Sequence, residues 1–299
     1  MKSMKVEFNR YQYGNYPANY MSVPSFRGIK ANTMQEKITV LLAETKKMYL
    51  SGKNPKLADF ETIIKKISPT TTVRNFSEIP PDSNANPRTG AYFRQKTQIN
   101  ILTNEMQAED KIMYLNLNHP KQWLFGDFVH EATHIAQEEA TNRENIVDFT
   151  KRLLQSGLTP DKKHHSLVSG VKGFASVEYN IVQPLFKALQ KDSELPKQVP
   201  YADKYILNEV YKQLTGYNVS DFIRLVTKDI VGQLRQIYPM LDEKYVVSYI
   251  RKQAGNEKEA YSTGLDFLKD ILKIKGSTDL DLRVLLYDEF EKTTSNMIL

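Results

Sequence analysis

Cysteine is absent from the 299 residues, and this removes disulfides, thiolate metal sites and thiol nucleophiles together. Any transition-metal site must therefore be built from His and carboxylate. A chain without thiols suits a reducing cytosol, and equally a protein threaded unfolded through a dedicated secretion machine, where mispaired thiols are a hazard. Also missing is any run of about eighteen apolar residues, so no membrane span is expected. Met1 to Tyr20 has no apolar core of the kind a signal peptide needs; it mixes Lys2, Lys5 and Arg10 with tyrosines and asparagines. The expected location is cytoplasmic, or a host cell reached by translocation. A large surplus of one charge is lacking too. The net +6 is spread among acidic residues, and the pairs Lys65-Lys66 and Lys162-Lys163 lack interleaved aromatics, so no nucleic-acid groove is expected.

What is present is the composition of a globular protein, 40% hydrophobic and 25% charged. From Thr33 to Leu50, apolar residues recur at helical spacing behind a Thr33/Glu36 capping-box pattern, with Gly52 available as the stop. A shorter amphipathic segment from Leu57 to Ile67 is closed by Ser68-Pro69, because a residue before proline avoids helical geometry. The turn formers from Pro80 to Pro87 predict a loop. Strands are expected at Thr97 to Leu102 and Ile112 to Leu117, followed by a helix from about Lys121 to Glu139. Downstream, helical periodicity appears at Asn145–Leu154, Ala175–Leu189, Asp203–Leu214, Ser220–Ile237, Asp242–Lys252, Glu257–Ile274 and Asp279–Lys292. The fold class expected is α+β. Residues 1–140 would form an N-terminal α+β subdomain and 141–299 a helical C-terminal subdomain, together one unit.

The chemistry concentrates in His130-Glu131-Ala132-Thr133-His134, set inside an amphipathic helix by Phe125, Phe128, Val129 and Ile135. Residues four apart lie above one another on a helix, so both imidazoles can reach one ion, with Glu131 turned toward its open side. Zinc, one ion, is the expected metal: two imidazoles and a carboxylate are a familiar set, and the ion lowers the pKa of a bound water to about 7, within reach of Glu131 as general base. With five histidines in the chain, chance rarely sets two at this spacing around a glutamate. Glu138 is excluded as a third ligand, since two helical turns from His130 span about 12 Å.

The pentad, with the strand before it, resembles the zincin superfamily of metallopeptidases over some thirty residues. The resemblance implies a small sheet with an edge strand packed on the motif helix, a protein or peptide substrate held extended along that strand, and a mostly helical C-terminal half supplying the third ligand. The metzincin branch would need a glycine and a histidine where this chain has Gln137 and Ala140. Gluzincin-like families instead take a glutamate from a later helix, followed three residues on by Ala or Ser. Asn256-Glu257-Lys258-Glu259-Ala260-Tyr261-Ser262 resembles such a segment in two registers, Glu257 with Ala260 and Glu259 with Ser262. Residues two apart on a helix diverge by about 200°. Glu257 is preferred, with Glu259, or Glu178 in Ser176-Val177-Glu178-Tyr179, as alternatives. His164-His165 could offer a third imidazole from a loop, and His119 before Pro120 reads as a turn residue. Zincins often stabilise the oxyanion with a tyrosine; Tyr249 is the first candidate, then Tyr245 and Tyr261.

Two rival readings use the same residues: a protein-binding module with structural zinc, and a zinc hydrolase of a non-peptide amide or ester. The tail from Tyr287 to Leu299, acidic, then small and polar, then apolar, resembles the C-terminal signals of bacterial type IV secretion effectors, and implies a protease acting on a host protein.

Overall fold

The computed structural model describes residues 33–80, 89–100, 105–137, 209, 212, 216–237, 242–273 and 279–297. Its architecture is mixed α+β, mostly helical with a three-stranded sheet. The described residues sort into two compact units.

The first unit holds α1 (Met34–Leu50), α2 (Leu57–Ile67), β1 (Thr72–Asn75), β2 (Ala91–Asn100), β3 (Glu105–Leu115), a helix α3 over residues 121–137, and the last turns of a later helix from Thr263 onward. The expected capping box is formed: Glu36 N–H donates to Thr33 Oγ1 at 3.2 Å, and Thr33 N–H to Glu36 Oε2 at 3.0 Å. Gly52, at φ 73°, takes the left-handed position that ends α1. Lys37 buries its stem and donates its ammonium to the carbonyl of Ile67 at 2.6 Å, tying α1 to the orphan end of α2. The core is the meeting of Phe60, Ile63, Ile64 and Ile67 on α2, Met113 and Leu115 on β3, and Phe125, Phe128, Val129, Ala132 and Ile135 on α3. Phe60 packs edge-on against Phe128 with ring centroids 4.8 Å apart.

The strands differ from expectation in extent and order. β1 answers to no expected strand, because four residues paired in parallel with Ile112–Leu115 leave no local pattern. β2 begins at Ala91 and β3 at Glu105, earlier than their predicted starts, because only Ile112 to Leu115 shows legible alternation. The sheet order is β1-β3-β2. The strand that directly precedes the motif helix is therefore central, not an edge; among the described residues the edges are β1, parallel to β3, and β2, antiparallel to it.

The second unit holds α4 (Val219–Ile237), α5 (Glu243–Leu272) up to Ser262, and α6 (Asp279–Ser295). Two helices were expected where α5 runs unbroken for 30 residues. Gly255, between the two expected segments, continues the helix and makes room for α6: a Cβ there would stand 2.9 Å from Glu291 Oε1. Lys258 of α5 donates to Asp288 and Glu291 of α6, both at 2.9 Å, and Asp288 also pairs with Lys292. Tyr287, Phe290, Thr293 and Thr294 are buried, so the tail up to Ser295 is packed helix. The expected helices at Asn145–Leu154 and Ala175–Leu189, and all but two residues of Asp203–Leu214, lie outside the described residues. Among the described residues no helix is long and apolar enough to cross a membrane.

The ion cluster on α6 makes stability pH-dependent. Burial alone would raise the Asp288 carboxyl, but hydrogen bonds and charge from Lys292 and Lys258 outweigh it and hold its pKa below the ordinary carboxylate value. A carboxyl depressed in the folded state stabilises it above the unfolded pKa, and that contribution is lost as pH falls through the folded one. Urea unfolding is therefore expected to show a stability loss of about 0.2–1 kcal/mol per pair below about pH 4. Asp288→Asn should flatten that limb; an unchanged acid profile would remove the cluster from the account.

Candidate metal centre

α3 is buried almost all round. Between residues 124 and 137, only Asp127, His130, Glu131 and His134 are not fully buried. Their spacings of three and four make one stripe along the helix, so the sequence aims every polar group of catalytic type to a single side while Phe125, Phe128, Ala132 and Ile135 hold the other in the core.

On that stripe His130 Nε2 and His134 Nε2 stand 3.2 Å apart, the rings nearly perpendicular at 84°. Two imidazole nitrogens bound to one tetrahedral ion, each at about 2.05 Å, are about 3.3 Å apart. The pair is thus already set for a shared ion. Glu257 completes the group: one ligand atom from each of His130, His134 and Glu257 lies within 4.8 Å of the others, and the three could hold a metal ion. Glu257 lies on α5. Seven residues on, about 10 Å along α5, Gly264 packs against α3, where a Cβ would meet Gly126 O at 3.3 Å and His130 Cβ at 3.6 Å.

His134 is oriented by a neighbour. Its Nδ1 lies 2.9 Å from Gln137 Oε1, an oxygen that can only accept, so Nδ1 carries the proton and Nε2 keeps its lone pair for a metal. Gln137→Leu is expected to weaken metal affinity about 10–100-fold, and Gln137→Glu, which keeps an acceptor, should restore it; competition with a chromophoric chelator measures both. Equal affinity in Gln137→Leu would show that the contact sets nothing.

The other two stripe residues face β2. Glu131 Oε2 accepts from the backbone N–H of Phe93 at 3.1 Å, and Asp127 Oδ2 from that of Gly90 at 2.6 Å, with His119 Nε2 3.9 Å from the same oxygen. Burial raises the Asp127 carboxyl, and the Gly90 N–H, His119 and His130 pull against it.

Of the sequence-predicted residues, His130, His134 and Glu257 are gathered. Glu259 is on α5 but not in the group. Tyr249 is buried on α5, eight residues or about 12 Å of helix before Glu257. Glu178, His164 and His165 lie outside the described residues. Asp127 and Gln137 were not singled out as site residues, although their spacing from Glu131 and His134 placed them on the right turns. No family model, no curated protein and no solved structure matches the chain.

Proposed function

We propose that the chain is a zinc-dependent metallopeptidase of zincin type, in the gluzincin-like manner, with His130, His134 and Glu257 holding one Zn2+ and Glu131 as general base. The observation that carries this reading is the gathering of a His-His-Glu group by two helices, with a fourth ionisable residue, Glu131, inside the motif and facing a strand edge. Zinc fits the donor set, which offers two imidazoles and one carboxylate and no thiolate. Bound there, zinc would supply a water that ionises near neutral pH and would polarise the carbonyl under attack.

The residues of the chain do the rest. Glu131 accepts the proton of the attacking water and returns it to the departing amine. β2, one of the two edge strands among the described residues, would offer an extended substrate those outward backbone groups that Glu131 and Asp127 do not take. Side chains on a helix lean toward its N-terminus, so Tyr249 leans away from Glu257, whereas Tyr261, one turn past Glu257 on the same face, leans toward it. Tyr261 is also held in place, stacked on Tyr287 with Arg283 over its ring. This favours Tyr261 over Tyr249 as the partner of the developing oxyanion.

The test is cleavage of an unfolded protein and a peptide library by the zinc-loaded chain beside Glu131→Gln, which keeps shape and metal. Removing a general base should slow hydrolysis about 10²–10⁴-fold with zinc content unchanged. Stoichiometric zinc without hydrolysis of any peptide would favour a binding module instead, and equal rates in the two proteins would end the assignment of the base.

A further inference from the structure

Resting on that reading of the site, we infer that the backbone N–H of Phe93 is a positioning donor for the base, and that Asp127 and Gly90 form the clamp that keeps it there. Two carboxylates one helical turn apart, Asp127 and Glu131, each accept one main-chain N–H from the segment entering and forming β2, at Gly90 and at Phe93. In an antiparallel pair, alternate residues turn their backbone groups toward the partner strand. Phe93, opposite Met113, is one of those turned away, and its N–H goes to Glu131.

The contact is built rather than incidental. Gly90 can bring its N–H to Asp127 because it has no side chain: a Cβ would fall 2.8 Å from His119 Cδ2, 2.9 Å from Leu124 Cα and 3.0 Å from Asp127 Oδ2. Gly90 O in turn accepts from Asn116 N–H at 2.8 Å, which fixes the strand's entry against the end of β3. With the strand pinned at Gly90, Phe93 meets Glu131 at a set height on α3. A glutamate has three rotatable side-chain bonds, and one N–H on Oε2 fixes the plane of its carboxylate while Oε1 keeps the capacity to take a proton. Charge-assisted bonds of this kind are shorter and stronger than neutral ones. The base is thereby oriented before any substrate arrives.

Two experiments on the full chain decide it. In the metal-free protein, site-resolved amide exchange at Phe93 should be about five- to tenfold faster in Glu131→Ala than in wild type. Glu131→Gln, whose amide oxygen still accepts, should keep the wild-type rate, and Tyr92 and Arg94, paired into β3, should not change. Equal exchange at Phe93 in wild type and Glu131→Ala overturns the inference. In the zinc-loaded protein, replacing the Phe93 amide by an ester removes the donor and leaves every side chain in place; kcat should fall about 10–100-fold with KM and zinc content unchanged. An unchanged kcat overturns the positioning role. Absence of any hydrolysis by zinc-loaded wild type would instead sink the hydrolase reading and the catalytic half of this inference with it, and the exchange result would still decide the docking.

Discussion

Glu257→Ala is expected to reduce bound zinc from one ion per chain to nearly none after dialysis against a weak chelator, while Glu259→Ala keeps it. The two histidines sit on one turn of α3 with their Nε2 atoms 3.2 Å apart, so they alone make a two-ligand site. Glu257 is the third member of the group that could hold a metal ion, and on the proposed reading its carboxylate would bring negative charge to that ion. Losing a partner outside the ligand shell weakens metal sites about 10–100-fold; losing a ligand should do more. Glu259 is the control because it is chemically identical and two residues away, turned by about 200° around the same helix. Glu178→Ala belongs in the series as well. Elemental analysis with circular dichroism to verify folding gives the answer. Full zinc in Glu257→Ala, or loss of zinc in Glu259→Ala or Glu178→Ala instead, would dismantle the ligand assignment.

How much of this was readable in the chain depends on whether the determining contacts are local. Thr33 and Glu36 cap α1 across three residues, and the pentad from His130 to His134 fits within one helical turn, so both are written in adjacent letters. The choice of Glu257 over Glu259 was not settled in that way. Both registers satisfy the small-residue pattern, and what separates them is that Glu257, not Glu259, stands in a group with His130 and His134, a juxtaposition more than a hundred residues apart in sequence. The same holds for α5 as a whole. The two expected segments left Gln253 to Asn256 between them, whereas the helix runs through with Gly255 close against Glu291, thirty-six residues downstream. Phe93 is the extreme case: the group that meets Glu131 is a backbone N–H, identical in all residues except proline, so no side-chain pattern could announce it.

Gly264→Val should loosen the metal as surely as a ligand substitution weakens it, though no ligand is touched. A single Cβ at Gly264 would stand 3.3 Å from the backbone oxygen of Gly126 and 3.7 Å from the nitrogen of His130; neither can rotate aside, and the two methyls of valine add bulk beyond it. Helices in ordinary contact lie about 8–10 Å apart, and a glycine at the crossing lets them come closer. Forcing valine in must push α5 away from α3, at about 1–3 kcal/mol of stability. Glu257 lies two turns before Gly264 on the same helix, and on the proposed reading its carboxylate shares an ion with His130 and His134, so the displacement should be felt there. Zinc affinity is expected to fall about 10–100-fold, the range seen when ligands keep their identity and lose their support. Gly126→Ala crowds the same crossing from the other helix, since its Cβ would meet Leu268 Cδ1 at 2.7 Å and Cγ at 3.0 Å. Gly232→Ala on α4, with nothing within 4 Å, separates helix propensity from crowding; it should stabilise by up to about 1 kcal/mol and leave zinc alone. Wild-type affinity in a folded Gly264→Val protein would mean that the crossing does not set the reach of Glu257.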